Sequence, residues 1–402
     1  MAADSWPTHR WRLLALSAAT HTFAAAIPLS CMPSLFKEIS GDLNLDLVQI
    51  GTVWGMVGLA GLFVSLIGGL AGDRFGARLI LGLACVLGGV VGALRGASGD
   101  FFSLAATVFA FGLIRAIIPT NVLKAVTTQF QGRNLGVSNG VVSMGMGVGL
   151  MLGPLISATV LSPLLGGWRN VLVLYGSVSI LIGILWFLSG FEPRQVSATL
   201  GHQSTARIQQ GLSRLVRIKD LWLLGFTLML RWGCIMGVAG YLPLYLRETG
   251  WGAAGADGAL AAFYAASMIG VVPLSLLSDR IGSRKAVLFP ALLTAVIGLV
   301  LLPISNGTMV WILVILVGVF MDAFMAILLT MVQETEGVGA TYSGTALGLV
   351  FTISHPGGFV SPPLGNSLAS VGPGLSFIFW ASLCALASVT LAFAKETGRR
   401  KT

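Results

Sequence analysis

The chain has 402 residues, is 55% hydrophobic and only 10% charged, and carries a formal net charge of +9, with a mean hydropathy of +0.88. Soluble domains hold roughly 25% charged residues, so this composition excludes a soluble enzyme or a solvated binding module. The charge does not point to nucleic acid either: of 24 Lys and Arg, 18 lie on one set of inter-span segments, four (Lys37, Arg95, Arg169, Arg247) on the other, and two (Arg115, Arg231) within spans. That is the bias of a multi-pass protein of a cell (inner or plasma) membrane with both termini in the cytoplasm.

Twelve apolar runs are predicted to span: 11–33, 47–70, 79–97, 101–123, 136–160, 169–191, 221–246, 257–278, 285–304, 308–331, 342–366 and 373–394. Each is near the ~20 residues a helix needs to cross the hydrocarbon core. Span one starts with Arg10 and Arg12, like a signal peptide. Its apolar run is long and span two follows closely, so a retained helix is expected. His21 lies mid-span between Thr20 and Thr22 and is expected to line a cavity.

Span two runs into Gly69-Leu-Ala-Gly-Asp73-Arg74-Phe-Gly76-Ala-Arg78. Span four carries Arg115, then Pro119, Asn121 and Lys124. Pro119 is expected to kink it, Asn121 offers a donor and an acceptor, and Lys124 either steps anions towards the mouth or snorkels to the interface. In span five Gly145, Gly149 and Gly153 recur at i, i+4 and so share one face. They permit close helix approach, and Pro154 invites a bend. Residues 192–220, with Arg207, Arg214, Arg217 and Lys219, are the longest polar segment and read as a linker. Within it 205–219 is either an amphipathic surface helix or solvated chain.

Span seven carries Arg231, with Tyr241, Pro243 and Tyr245 at its outer end as gate or packing residues. After span eight comes Ser278-Asp279-Arg280-Ile-Gly282-Ser-Arg284-Lys285, whose Asp-Arg-x-Gly-x-Arg core repeats the earlier one 206 residues on. An internal duplication is implied. Asp322 lies mid-span ten, and His355 sits in Ser354-His355-Pro356-Gly357-Gly358 of span eleven as a titrating or a packing residue. The four cysteines lack metal-ligand spacing and read as packing residues. No metal site, phosphate-binding loop or catalytic constellation is found, so no cofactor and no enzymatic activity are expected.

The doubled loop resembles the G-x-x-x-D-R-x-G-R-[RK] signature of the major facilitator superfamily. The span-five run ending Gly153-Pro154 resembles that superfamily's glycine-rich motif. Span four is similar to the cyanate-porter-type branch, although here the Pro precedes the Asn. The resemblance implies an all-α membrane fold of twelve helices in two pseudo-symmetric six-helix bundles, 1–191 and 221–402, joined by the 192–220 linker. It implies that spans one, four, seven and ten line a central cavity, which would gather His21, Arg115, Arg231 and Asp322. It also implies that Gly69, Asp73, Arg74, Gly76, Arg78, Asp279, Arg280, Gly282 and Arg284 latch one side in one conformational state. Physically, Asp73 could sit at the N-terminus of span eleven and Asp279 at that of span five, drawn by the helix dipole.

An arginine at the centre of a span costs about 2.5–3.5 kcal/mol on insertion scales, so such residues face an interior or a cavity. Arg115 and Arg231, with His21 and Asn121, are candidates for binding an anionic small molecule through guanidinium forks. Alternatively Asp322 forms a salt bridge with one of the arginines. Asp322, His21 and His355 are candidates for proton coupling. The expected activity is alternating-access secondary transport of a small carboxylate-like anion, proton-coupled or by exchange, in a monomer embedded in the bilayer. The alternative is a proton-driven multidrug efflux pump in which Asp322 carries the proton.

Overall fold

The computed structural model describes residues 8–64, 75–130, 133–190 and 213–398. Gly69, Asp73 and Arg74 of the first loop, and most of the linker, lie outside the described residues. Among those described there is no strand. Eleven helices are long and apolar enough to cross a membrane: Arg10–Leu43, Leu47–Val64, Ala77–Ala97, Phe101–Thr127, Asn134–Leu165, Trp168–Leu188, Lys219–Glu248, Ala253–Ile281, Lys285–Ile304, Thr308–Glu334 and Leu375–Phe393. The 30-residue helix Gly339–Leu368 fills the remaining place, span eleven. The observed helices overrun the predicted ones where polar residues continue the coil. Span one, expected to end at 33, continues through Lys37 and Glu38 to Leu43 and stops at Asn44, whose φ is +52°.

Two spans contain a π-helical turn, and the same backbone logic explains both. In Thr20–Ala26 of span one the N–H of Ile27 bonds to the carbonyl of Thr22, five residues back. In Ser157–Leu161 of span five the N–H of Ser162 bonds to Ser157, again five back. Each time the next residue is a proline, Pro28 or Pro163. A proline has no N–H for the carbonyl four residues earlier, so shifting the ladder to i→i+5 relieves the mismatch. The bend expected of Pro154 does not break the helix there, because Pro154 stays inside the α-helix Arg133–Ile156.

Spans four and ten are each interrupted. Span four is Phe101–Arg115 followed by Ile118–Thr127. Pro119 is in the first turn of the second piece and cannot donate to the Arg115 carbonyl. Span ten is Thr308–Val319 followed by Met321–Glu334, with Phe320 between. Offset by the 206-residue repeat, the two breaks fall two to three residues apart.

The chain divides into two compact units, Met1–Leu35 with Phe63–His202, and Phe36–Leu62 with Gln203–Thr402. In the first, the span-five glycine stripe packs on span one. A methyl at Gly145 would lie 2.8 Å from the Ala18 carbonyl oxygen, and one at Gly149 would lie 2.6 Å from the Ala26 Cβ. One at Gly153 would strike the Ser30 hydroxyl. Overpacking of this kind costs about 1–3 kcal/mol. In the second unit Gly51, Gly55 and Gly58 of span two lie against the backbone of span eleven from Gly358 to Pro363. Gly233 of span seven meets Gly357 of the same helix.

Candidate functional site

In the first unit the π-turn of span one organises the candidate residues. His21 is buried, and its Nδ1 lies 3.2 Å from the Val142 carbonyl of span five. A carbonyl only accepts, so Nδ1 carries a proton. Nε2 is buried without a protein partner. Thr20 accepts the indole N–H of Trp186 from span six at 2.8 Å, and Thr22 donates to the Gly145 carbonyl at 2.8 Å. Arg115 is half-buried at the last helical residue before the span-four break. Its Nε donates to the Ala25 carbonyl within the π-turn at 2.9 Å. His21 lies within electrostatic reach of Arg115. Three spans thus bring an imidazole and a guanidinium to one irregular stretch of backbone, and π-turns are common at functional sites.

Asn121 is fully buried, and its amide nitrogen donates to the Ile117 carbonyl one turn back at 2.8 Å. In this conformation that amide helps carry the chain across the span-four break. Two arginines assigned by sequence to the external inter-span segments are built into the unit. Arg95 is 1% exposed, donates to the carbonyls of Gly92 and Pro28 and stacks 4.0 Å over the Phe111 ring. Arg169 donates to the carbonyls of Gly96 and Ser98 at 2.9 and 2.7 Å. Both close the Ala77–Ala97 helix end, a role that hydropathy alone does not reveal.

Arg78 donates to the carbonyls of Trp186 and Phe187 in the last turn of span six. Those are orphan acceptors at the negative end of a helix dipole. Gly76, with φ +83°, takes the backbone conformation that starts span three.

In the second unit Arg231 is 1% exposed. Its Nη1 faces two thiols, Cys234 Sγ at 3.9 Å and Cys384 Sγ at 3.8 Å, and its guanidinium lies 5.6 Å from the centre of the Phe324 ring. Nε and Nη2 have no protein partner. Asp322 is half-buried in the first turn after the span-ten break, and its N–H donates to the Ser267 hydroxyl of span eight at 3.0 Å. No ion pair joins Asp322 to Arg231. His355 is half-buried, with Nδ1 2.6 Å from the Phe351 carbonyl, and its ring occupies the space beside Gly61. A small cavity lined by Val238, Leu242, Phe263, Leu299 and other apolar groups has nothing to recognise an anion.

The second loop is a satisfied ionic cluster. Gly282 caps span eight at φ +72°. Arg284 holds Glu334 with two bonds of 3.1 and 2.7 Å, and donates to Asp279 at 2.5 Å and Ser278 at 3.2 Å. The Glu334 carboxylate, then that of Asp279, hold the Arg284 guanidinium above the usual arginine range despite partial burial. Arg280 is exposed. Glu396 accepts from the Ser283 hydroxyl and from the N–H groups of Arg284 and Lys285, at 2.6, 2.9 and 3.1 Å. Burial pushes the Glu396 carboxyl up, but those bonds, with one from the Gly398 N–H, outweigh it and leave it below the usual range. Lys285 Nζ donates to the Ala392 carbonyl at the end of span twelve, as Arg78 does at the end of span six.

Twelve long helices among the described residues, a loop motif doubled in the sequence and an interruption in each of spans four and ten define an all-α, multi-pass membrane fold built on a repeat. The sequence profile of the Major Facilitator Superfamily matches residues 14–360 and 258–402, and the chain belongs to that superfamily. It is a membrane transporter, not an enzyme. The chain is 25% identical over 390 residues to the cis,cis-muconate transport protein of Acinetobacter baylyi, covering 92% of this chain and 91% of that one. It is 24% identical to a probable sulfoacetate transporter of Cupriavidus necator, covering 84% and 81%. It is 27% identical over 183 residues to a probable galactarate/D-glucarate transporter of Bacillus subtilis, covering 43% and 39%. In fold it is similar to a bacterial homologue of the human lysosomal transporter Spinster in an inward-facing, occupied conformation, with a TM-score of 0.78 at 17% identity over 97% and 96% of the chains. It is also similar to the nucleoside transporter NupG, with a TM-score of 0.75 at 13% identity over 96% and 98%.

Proposed function

We propose that the chain carries a small organic anion bearing carboxylate or similar acid groups across the cell membrane by alternating access, with both termini in the cytoplasm, as a monomer. The observation that carries this reading is Arg115. It is an obligate cation at the centre of a span, placed at a helix break, with its Nε bonded to the π-turn that also bears His21. A guanidinium suits a carboxylate. The named substrates of the relatives, muconate, galactarate or glucarate, and sulfoacetate, each carry two acid groups, which supports an anion over a lipophilic cation.

Arg231 is the second fork the chain offers. Its unpartnered N–H groups are costly in this conformation, and an anion reaching them in another state relieves that cost. His21 and Asp322 are the proposed proton sites, and His355 a third. Asn121 acts by supporting the break beside Arg115. The two loops, Gly69 to Arg78 and Asp279 to Arg284, act as the latch whose making and breaking accompanies transport.

The test is a thermal-shift screen of the purified protein against muconate, aldarates, sulfoacetate and lipophilic cations. A ligand at a hundred times its Kd stabilises by about 2.7 kcal/mol. Stabilisation by one of the anions in the parent, lost in Arg115→Ala, is expected. Stabilisation by lipophilic cations alone, kept in Arg115→Ala and lost in Asp322→Asn, would replace this reading with the efflux pump. Counterflow in proteoliposomes with and without a pH gradient then separates exchange from proton coupling.

A further inference from the structure

The start of span seven orders three kinds of side chain along one exposed stripe. Lys219, Trp222 and Phe226 fall at i, i+3 and i+7 of the helix Lys219–Glu248, so they share a face. Trp222 is 37% and Phe226 40% exposed, and their rings lie 6.2 Å apart. The Trp222 indole N–H donates to the Val216 carbonyl at 2.8 Å, which fixes the ring's polar edge towards the chain entering the helix. Val216 is itself 41% exposed. Exposed Arg214 and Arg217 stand in that entering chain. From Lys219 to Phe226 the helix rises about 10 Å at 1.5 Å per residue.

Among the described residues the cations there have no carboxylate partner. Arg214 lies 5.8 Å from the Tyr342 ring centre, and no ion pair among the described residues engages Arg214, Arg217 or Lys219. The nearest acid in sequence, Asp220, accepts the backbone N–H of Lys395 at 3.0 Å. Glu336 faces Lys395 at 3.9 Å. Below the aromatic pair the rest of the helix, from Arg231 to Leu246, is almost wholly buried. On span seven itself the exposed stripe is therefore confined to its first turns.

We propose that this patch binds one anionic phospholipid. Arg214, Arg217 and Lys219 take the phosphate headgroup, Trp222 lies at the glycerol level, and Phe226 faces the upper acyl chain. The order of cation, amphipathic ring and apolar ring over about 10 Å matches the order of groups along a phospholipid at the boundary of headgroups and chains. Basic residues beside a span attract anionic lipid headgroups. Positive-inside bias accounts for cations at this level. It does not account for three with no carboxylate partner among the described residues, above a paired aromatic stripe whose indole is locked by a backbone bond.

The experiment is native mass spectrometry of the full-length, delipidated protein in non-ionic detergent. Equal amounts of phosphatidylglycerol or phosphatidylcholine with the same acyl chains are added. The parent is expected to retain one phosphatidylglycerol at several-fold the level of phosphatidylcholine. Arg217→Gln/Lys219→Gln, and separately Arg214→Gln/Arg217→Gln/Lys219→Gln, should reduce it to the phosphatidylcholine level, and Trp222→Ala should lower both lipids. The double variant keeps the test readable should the triple one not fold. Equal retention of the two lipids, or a phosphatidylglycerol preference unchanged in the double variant, would overturn the proposal. Displacement of the lipid by equimolar glycerol phosphate would also overturn it, by showing a site for soluble phosphate.

Discussion

Arg231 and Arg284 are both scarcely exposed arginines of the same unit, and the fold treats them in opposite ways. At Arg284 every guanidinium nitrogen has a partner: Nε and Nη2 grip Glu334, and Nη1 bonds to Asp279 and Ser278. At Arg231 one nitrogen faces two thiols and the other two have no protein partner. A buried charge with its donors answered holds a structure together. One with its donors unanswered raises the energy of the state it is in. The first arrangement suits a brace that holds the present conformation, and the second suits a group that meets its partner in another one.

The sharpest way to break that comparison is to remove the brace. Arg284→Ala leaves Glu334 and Asp279 facing each other without a cation. Breaking a fully buried pair costs about 3–5 kcal/mol. Here the Asp279 side chain is 62% exposed and that of Glu334 30%, so solvent screening lowers the expectation to about 2–3 kcal/mol. Thermal unfolding of the purified variant reads this, and Arg284→Lys, which keeps the charge and loses the fork, should recover less than half. A loss below about 0.5 kcal/mol would show that Arg284 is no brace.

Arg231→Met should act in the opposite direction. It removes an uncompensated charge and keeps a long side chain against Phe324, Cys234 and Cys384. Replacing buried ionic groups by apolar ones is often neutral or stabilising by 1–4 kcal/mol, and about 1–2 kcal/mol of stabilisation is expected here. Transport by the same variant should fall at least tenfold. A variant that melts lower than the parent would make the thiols and the ring true structural partners of Arg231 and would erase the contrast with Arg284.

Much of this was legible in sequence, for identifiable reasons. Hydropathy averages over a window, so it finds spans however their faces are turned. The repeated Asp-Arg-x-Gly-x-Arg core marks both loops, and Pro119 marks the span-four break because a missing N–H is a local fact. What stayed hidden depends on facing or on distant partners. Hydropathy cannot say that Arg95 turns inward on Phe111, or that Arg231 meets Cys384 more than 150 residues later. Glu334 and Glu396 read as ordinary charges beyond helix ends, yet they complete the Arg284 cluster from 50 and 112 residues away. The π-turns did leave a signal, Pro28 and Pro163, which says only that a carbonyl four residues earlier needs another donor. The ladder answers by lengthening its step from four residues to five.

The smallest effect tests whether the brace extends to the C-terminal segment. Glu396 places its carboxylate on the N–H groups of Arg284 and Lys285, at the positive end of span nine. Glu396→Gln keeps the shape and removes the charge. A charge-assisted bond at a helix N-terminus contributes about 0.5–1 kcal/mol once exposure is allowed for. The folded-state carboxyl lies below its ordinary value. Its contribution is therefore fully present above the unfolded value, about 4.3, and is lost as pH falls through the lower, folded-state value. Melting curves should accordingly separate parent from Glu396→Gln at pH 7 and converge on acidification below about pH 4. A gap that persists at low pH would make the contribution one of shape, and the C-terminal segment would then lie outside the ionic brace that Arg284 anchors.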